Sequence, residues 1–278
     1  MAELRPPEVH AHQSIELLKA LHILTNEGKL NQDSRRKLKQ VYHLFQFIEP
    51  LLKEAQALHA NPLLVDHGAG KSYLGFILYD LFTKQQLGGE VLGIETRGEL
   101  VEKSTALASK LGFNRMRFLH LSAQHAITDE RIAATVDIVT ALHACNTATD
   151  DAIAFGLKRK ARHMVLVPCC QAELASVLRK NKAQALAKTP LAELWRHPIH
   201  TREMGSQLTN VLRCLQLEAA GYRVTVTELV GWEHSMKNEL IIASFNGHKR
   251  KNAVERIDEI LSQMHLTELR SRFVSSDG

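Results

Sequence analysis

From about residue 61 the apolar positions alternate between two periods. Short apolar runs at 62–66, 90–95, 116–121, 136–142 and 163–168 read as buried strands. Between them, 71–84 and 98–111 carry apolar residues at three- and four-residue spacing, the period of a helix. This alternation predicts a Rossmann-like α/β fold with a mainly parallel sheet. The end of the pattern differs. A helical stretch at 205–220 leads into strand-like runs at 222–230 and 238–245, separated only by the turn Gly231-Trp232-Glu233-His234-Ser235. A terminal antiparallel hairpin is expected there, followed by one closing helix over 254–269 and a polar tail.

Ahead of the alternating region the pattern is helical. Residues 1–12, with Pro6 and Pro7, are expected to be frayed. Ile15, Leu17, Leu18, Leu21 and Ile23 fit a short amphipathic helix ended by Asn26-Glu27-Gly28. A longer helix, capped by Asp33 or Ser34, then runs to about residue 58 on an apolar face that includes Leu38, Val41, Leu44, Ile48 and Leu52, with Pro50 expected to break or kink it. The chain therefore divides into a helical extension (1–60), a main domain (61–247) and a closing helix with its tail (248–278). The extension is expected to pack on the sheet, with a lid or substrate platform as the alternative.

The first strand ends in the stretch Leu63-Leu64-Val65-Asp66-His67-Gly68-Ala69-Gly70-Lys71-Ser72-Tyr73-Leu74. Gly68 and Gly70 can take positive φ and let backbone approach a ligand where the next helix begins, while Asp66 offers an acceptor. A phosphate-binding loop needs a glycine where Val65 stands, so Gly70-Lys71-Ser72 is a look-alike. A dinucleotide fingerprint needs a third glycine where Tyr73 stands, although Gly75 nearby keeps that reading open. The second strand, Glu90-Val91-Leu92-Gly93-Ile94-Glu95, ends in an acid roughly 20 residues on, where this class of fold places a ribose-binding carboxylate.

Composition adds less. A chain of 278 residues, 45% of them hydrophobic, can bury one large core with length left for extensions. The net charge is +5, and basic residues cluster at Arg35-Arg36-Lys37-x-Lys39, Lys158-Arg159-Lys160-x-Arg162, Arg179-Lys180-x-Lys182 and Lys249-Arg250-Lys251. Such clusters suit an anionic partner such as RNA, and an ordinary solvated surface carries the same residues. The four cysteines form no C-x-x-C pair and no secreted framework, no apolar leader precedes a cleavage site, and no apolar run approaches membrane-spanning length. A cytoplasmic protein without a membrane segment is expected.

The D-x-G-x-G of Asp66, Gly68 and Gly70 resembles motif I of the class I S-adenosylmethionine-dependent methyltransferases. Two further motifs sharpen this: Leu142-His143-Ala144-Cys145-Asn146-Thr147-Ala148-Thr149-Asp150 after the fourth strand and Pro168-Cys169-Cys170 after the fifth. Together, over about residues 36–245, they look like the methyltransferase-like branch that includes the transfer-RNA 2′-O-methyltransferases. The chain departs from those enzymes in having Gln171-Ala172-Glu173 where they carry a histidine-rich continuation, and in lacking their added zinc-binding region. It also lacks the N/D-P-P-Y/F/W motif of the adenine and cytosine amino-methyltransferases after the fourth strand.

The resemblance implies S-adenosyl-L-methionine as cofactor and, with the basic clusters, an RNA substrate; a protein or small-molecule methyltransferase and a non-catalytic S-adenosylmethionine-binding module are the alternatives. The sulfonium is already activated, so no metal is required. The resemblance places the cofactor against Asp66, Gly68, Gly70, Lys71, Tyr73 and Leu74 on the turn, Glu95 at the ribose, Ser122, Ala123 and Gln124 near the adenine, and Leu142 and His143 beyond. His143, Cys145, Cys169 and Cys170 are the catalytic candidates. Neutral imidazole can accept a proton near pH 7, and a thiolate of lowered pKa can attack a pyrimidine ring. Small cysteines packed at crowded strand ends and a mixed His/Cys zinc site remain open as alternatives. The segment 195–203, expected as a loop before the long helix, offers His200 and Arg202 to an anionic substrate.

Overall fold

The computed structural model describes residues 5–144, 146–168, 172–181, 190–229 and 239–274. Seven strands form one sheet: β1 (Leu63–His67), β2 (Glu90–Glu95), β3 (Met116–His120), β4 (Ile138–Ala144), β5 (His163–Pro168), β6 (Tyr222–Glu228) and β7 (Glu239–Phe245). Their spatial order is β3-β2-β1-β4-β5-β7-β6. The first five are parallel, and β7 runs antiparallel to both β5 and β6. The strand order reverses at β1 and β4, which opens a crevice at the carboxyl edge where ligands of such sheets bind.

Two apolar layers clothe the sheet. On one face α1 (Ile15–Ala20), α2 (Gln32–Leu58), α3 (Tyr73–Leu81) and α4 (Gly98–Lys110) pack through Leu17, Leu38, Leu44, Ile48, Phe76 and Ile77 against Leu64 and Val91. On the other, α5 (Ala123–Thr128), α6 (Ala148–Lys158) and the end of α8 (Pro198–Ala219) cover Val65, Leu92, Val139 and Met164. A smaller cluster joins α7 (Ala172–Asn181), α8 and α9 (Ala253–Gln263) through Leu178, Leu212 and Ile257.

Several local expectations change. Asn31, not Asp33 or Ser34, caps α2, its side chain accepting from the Ser34 N–H at 2.8 Å, and the helix runs through Pro50 without a break. Residues 5–13 are tied down: Val9 is buried, and the Arg5 guanidinium donates to the carbonyls of His10 and Gln13, while residues 1–4 lie outside the described residues. β4 starts two residues late because Asp137 does other work, accepting from the Leu63 N–H at 2.8 Å and facing His59 at 2.8 Å. The long helix starts at Pro198 rather than at residue 205, as suits proline in a first turn. The closing helix ends at Gln263, and a short turn leads to α10 (Arg270–Phe273).

Candidate methyl-donor site

The glycine turn sits at the carboxyl end of β1, and its shape follows from three positive-φ residues in five: Gly68 (67°), Gly70 (59°) and Ser72 (47°). A Cβ on Gly68 would point into open space, whereas one on Gly70 would meet the Arg97 guanidinium at 3.6 Å. The backbone is pinned from within, Ala69 N–H donating to Ile94 C=O at 2.9 Å and Ser72 N–H to Ala69 C=O at 2.7 Å. Lys71 is exposed in this turn, and α3 begins only at Tyr73, with Leu74 buried behind it.

Asp66 braces the turn from below. It is buried, accepting from Ser72 Oγ at 3.0 Å, from Thr140 Oγ1 at 3.1 Å and from the Gly75 backbone N–H. Burial without a partner cation pushes its carboxyl up to about 6, against the opposing pull of those three donors. Gly75 is needed for this packing, since a Cβ there would lie 2.4 Å from Ser72 Oγ. Its role is close helix–strand contact, the part played by the third glycine of a dinucleotide fingerprint, but it stands two residues beyond that glycine's place, which Tyr73 occupies. Beside Asp66, His67 is buried against Phe155 with ring centroids 5.3 Å apart, and burial lowers it to about 4, so it is neutral.

Glu95 ends β2 and reaches the same turn. Its Oε2 accepts from the Gly70 N–H at 2.6 Å, and its Oε1 accepts from the Arg97 N–H at 3.0 Å and Arg97 Nε at 2.9 Å. Burial would raise this carboxyl, but the bonds from Arg97 and Gly70 outweigh it and hold it below the usual range. The turn and the second acid are thus one hydrogen-bonded unit, with Arg97 folded over its solvent side. Arg97, Thr140 and Ser72 are partners of the two acids that the motif alone does not announce.

Of the remaining cofactor candidates, Ser122 caps α5, accepting from the His125 N–H at 3.2 Å, so Ala123 and Gln124 open a helix instead of a loop. Leu142 is partly buried on the α2–α3 side of the sheet. His143 lies at a register irregularity, because Leu142 pairs with Val167 and Ala144 with Pro168. Such bulges re-aim backbone beside active sites. Ala144 pairs with Pro168 where β4 and β5 end; Cys145, Cys169 and Cys170 lie outside the described residues.

What holds the β4-end segment is a buried ion pair that sequence reading missed. Arg213 on α8 is 1% exposed and forks onto Asp150, with Nε to Oδ1 at 2.7 Å and Nη2 to Oδ2 at 2.8 Å. The same guanidinium donates to Asn146 C=O at 2.9 Å and to Asn210 Oδ1 at 3.1 Å. Asn146, at φ 52°, in turn accepts from the Glu173 N–H at 3.1 Å, joining the segment after β4 to the one after β5. The aspartate of the A-T-D motif is therefore a brace. A lone arginine among Leu208, Leu212 and Leu215 was the available signal.

His200 and Arg202 lie in the first turns of α8, not in a preceding loop. His200 is exposed with its ring 5.3 Å from that of His197, and Arg202 pairs with Glu203 at 2.9 Å. Among the described residues no three His, Cys, Asp or Glu side chains form a group able to hold a metal ion, and no helix is long and apolar enough to cross a membrane.

The reversed last strand of the sheet, with an acid–glycine turn at the carboxyl end of β1 bonded to the acid ending β2, defines a class I S-adenosylmethionine-dependent methyltransferase. A family model described as "Methyltransferase domain" matches residues 36–177, just over half of the chain, and the chain belongs to that family. A search of curated proteins finds no match. Among solved structures the chain is similar to magnesium protoporphyrin IX methyltransferase (ChlM) from Synechocystis PCC 6803 with bound SAH, at 14% identity and a TM-score of 0.47, covering 84% of this chain and 95% of that one. It is also similar to an rRNA methylase from Streptococcus thermophilus, at 12% identity and a TM-score of 0.42, covering 72% and 94%. A third is the N-terminal domain of human METTL16 in complex with SAH, at 10% identity and a TM-score of 0.45, covering 75% and 71%.

Proposed function

We propose that this methyltransferase acts on RNA, either tRNA or rRNA, and that its cofactor lies over the glycine turn with the ribose at Glu95. The observation that carries the cofactor assignment is the 2.6 Å bond from Gly70 N–H to Glu95, which makes the turn and the acid a single receptor. The open space before Gly68 fits a ligand approaching backbone closely. Glu95 is the acceptor for ribose hydroxyls, and the exposed Arg97 swings aside to release it. Lys71, Tyr73 and Leu74 complete the turn side, Ser122, Ala123 and Gln124 the adenine side, and Leu142 and His143 the far wall.

When bound, S-adenosylmethionine supplies a methyl group already activated on a sulfonium, so the protein chiefly aligns the acceptor and excludes water. His143 takes the proton from the acceptor atom. Cys145, Cys169 and Cys170 serve either as packing or, for a pyrimidine carbon target, as the thiolate nucleophile, while His200 and Arg202 hold the anionic substrate. The RNA reading is supported by the kinship of the L-H-A-C-x-x-A-T-D and P-C-C motifs and by the basic surface. It is tested by transfer of labelled methyl from S-adenosylmethionine into total RNA and, in parallel, into total protein, each from cells lacking this gene. Label in RNA is expected; label in protein alone, or in neither, overturns the RNA assignment.

A further inference from the structure

The basic clusters part company in the fold. Arg35 and Arg36 are partly neutralised by Glu8 and Asp33. Arg159 leaves the surface altogether, spending its guanidinium on the carbonyls of Ala126, Asp129, Ile132 and Ala133. Two clusters far apart in sequence converge at the amino-terminal end of β5, the edge of the sheet opposite the glycine turn. Phe245 N–H donates to Arg162 C=O at 2.8 Å, Asn246 and Gly247 both donate to Gly221 C=O at 3.1 Å, and Arg250 N–H donates to Glu218 C=O at 3.0 Å. These bonds gather the segments 157–163, 218–223 and 245–251 into one surface.

Its charge is lopsided. Lys158, Lys160, Arg162, His248, Lys249 and Lys251 are all exposed. The one acid in those three segments, Glu218, is already held by Arg250. Among the described residues none of these lysines, nor Arg162, is engaged in an ion pair. At the joint of the two clusters, its N–H bonded to Arg162 C=O, stands Phe245, 54% exposed. It extends the pairing of β5 with β7 beside Arg162 and lies in register with Tyr222, whose ring meets it edge-on at 5.3 Å. Tyr222 is itself fixed, its hydroxyl donating to Ala161 C=O at 2.6 Å. Glu54 on α2 also reaches this end of β5, 3.5 Å from His163. A half-exposed aromatic ring on a rigid seat, between two clusters of cations without ion-pair partners, combines the two elements by which single-stranded nucleic acid is held.

We propose that this end of the sheet is an RNA docking surface separate from the transfer site, its cations gripping phosphates and Phe245 stacking a base. It rests on the RNA reading above and extends it. The strands separating the two edges are five to seven residues long, about 20 Å at the rise of a β-strand. An RNA held here reaches the methyl-donor site only by passing round the sheet, so the substrate is an extended RNA and not a free nucleotide.

The test is fluorescence anisotropy of the full chain with a labelled mixed-sequence single-stranded RNA of about 30 nucleotides, long enough for several phosphate contacts. Reversing Lys160→Glu, Arg162→Glu and Lys249→Glu together is expected to weaken binding about 100-fold and to lower the slope of log affinity against log salt by about 2. Phe245→Ala is expected to weaken it about tenfold. Both variants should keep wild-type affinity for S-adenosylmethionine by calorimetry, and Lys37→Glu with Lys39→Glu on α2 should leave RNA binding unchanged. RNA binding that survives the triple reversal overturns the surface but leaves RNA as the substrate. Binding to phosphatidylserine vesicles in preference to RNA overturns it in favour of a membrane. RNA bound through this surface without label transfer upholds the docking site and removes RNA as the methyl acceptor.

Discussion

The glycine turn after β1 and the segment after β4 are both irregular backbone at the carboxyl edge, and each hangs on a buried aspartate. They are held by opposite means. Asp66 has two hydroxyls and one backbone N–H but no cation, and burial leaves it with a carboxyl near 6. Asp150 has a guanidinium in a two-pronged grip inside the protein. The turn proposed to receive the cofactor is thus anchored by neutral donors and stays responsive to pH. The segment that carries the candidate catalytic residues is anchored by fixed charges.

The largest expected effect breaks the charged anchor. Arg213→Met strands Asp150 without its cation, and urea unfolding should show a loss of about 3–5 kcal/mol. Adding Asp150→Leu should restore most of it, because a pair replaced by apolar groups costs far less than a pair half removed. A loss below about 1 kcal/mol in the single variant would mean the pair is no brace.

The neutral anchor gives the next effect. The folded value of Asp66 lies above the unfolded value near 3.9, so the folded state binds that proton more tightly. Stability from this group is full below about pH 4 and is lost as pH rises through about 6, amounting to about 3 kcal/mol. The stability of wild type relative to Asp66→Asn should fall by that amount from pH 4 to pH 7, and a flat difference would refute it. Asp66→Ala, which removes the acceptor, should abolish S-adenosylmethionine binding while unfolding remains cooperative.

Smaller effects sharpen the contrast. Glu95→Gln should weaken S-adenosylmethionine at least tenfold in calorimetry, the worth of one charge-assisted hydrogen bond. Arg97→Ala should lower stability in urea unfolding by about 1 kcal/mol, since the Arg97 side chain is 61% exposed and screened by water, while its buried partner Glu95, 6% exposed, keeps the bond from the Gly70 N–H.

The framework was legible where local chemistry decides structure. The runs 90–95 and 163–168 are strands with those bounds, and the reversed terminal pair follows from two strand patterns with no helix between them. Asp66, Gly68 and Gly70 fall at a strand end because the motif and the hydrophobic pattern agree. What escaped depends on partners distant in sequence. Thr140 meets Asp66 across 74 residues, and Arg213 meets Asp150 across 63. Gly205 read as a helix start, yet it lies inside α8 because a Cβ there would sit 2.8 Å from Ala175 Cβ, a constraint that exists only once α7 is docked.

The meeting of Thr140 with Asp66 also sets a clock. During synthesis at about 5–20 residues per second, β1 can pair with β2, and β2 with β3, well before β4, the strand that covers the other edge of β1, has been made. The 74 residues between Asp66 and Thr140 take about 4–15 seconds to emerge at that rate. For that interval β1 presents an apolar strand with unpaired backbone, the kind of edge that recruits foreign strands. The methyl-donor turn is among the last parts of its own half to set, and conditions that slow elongation through residues 121–137 should raise aggregation of nascent chains without altering the finished enzyme.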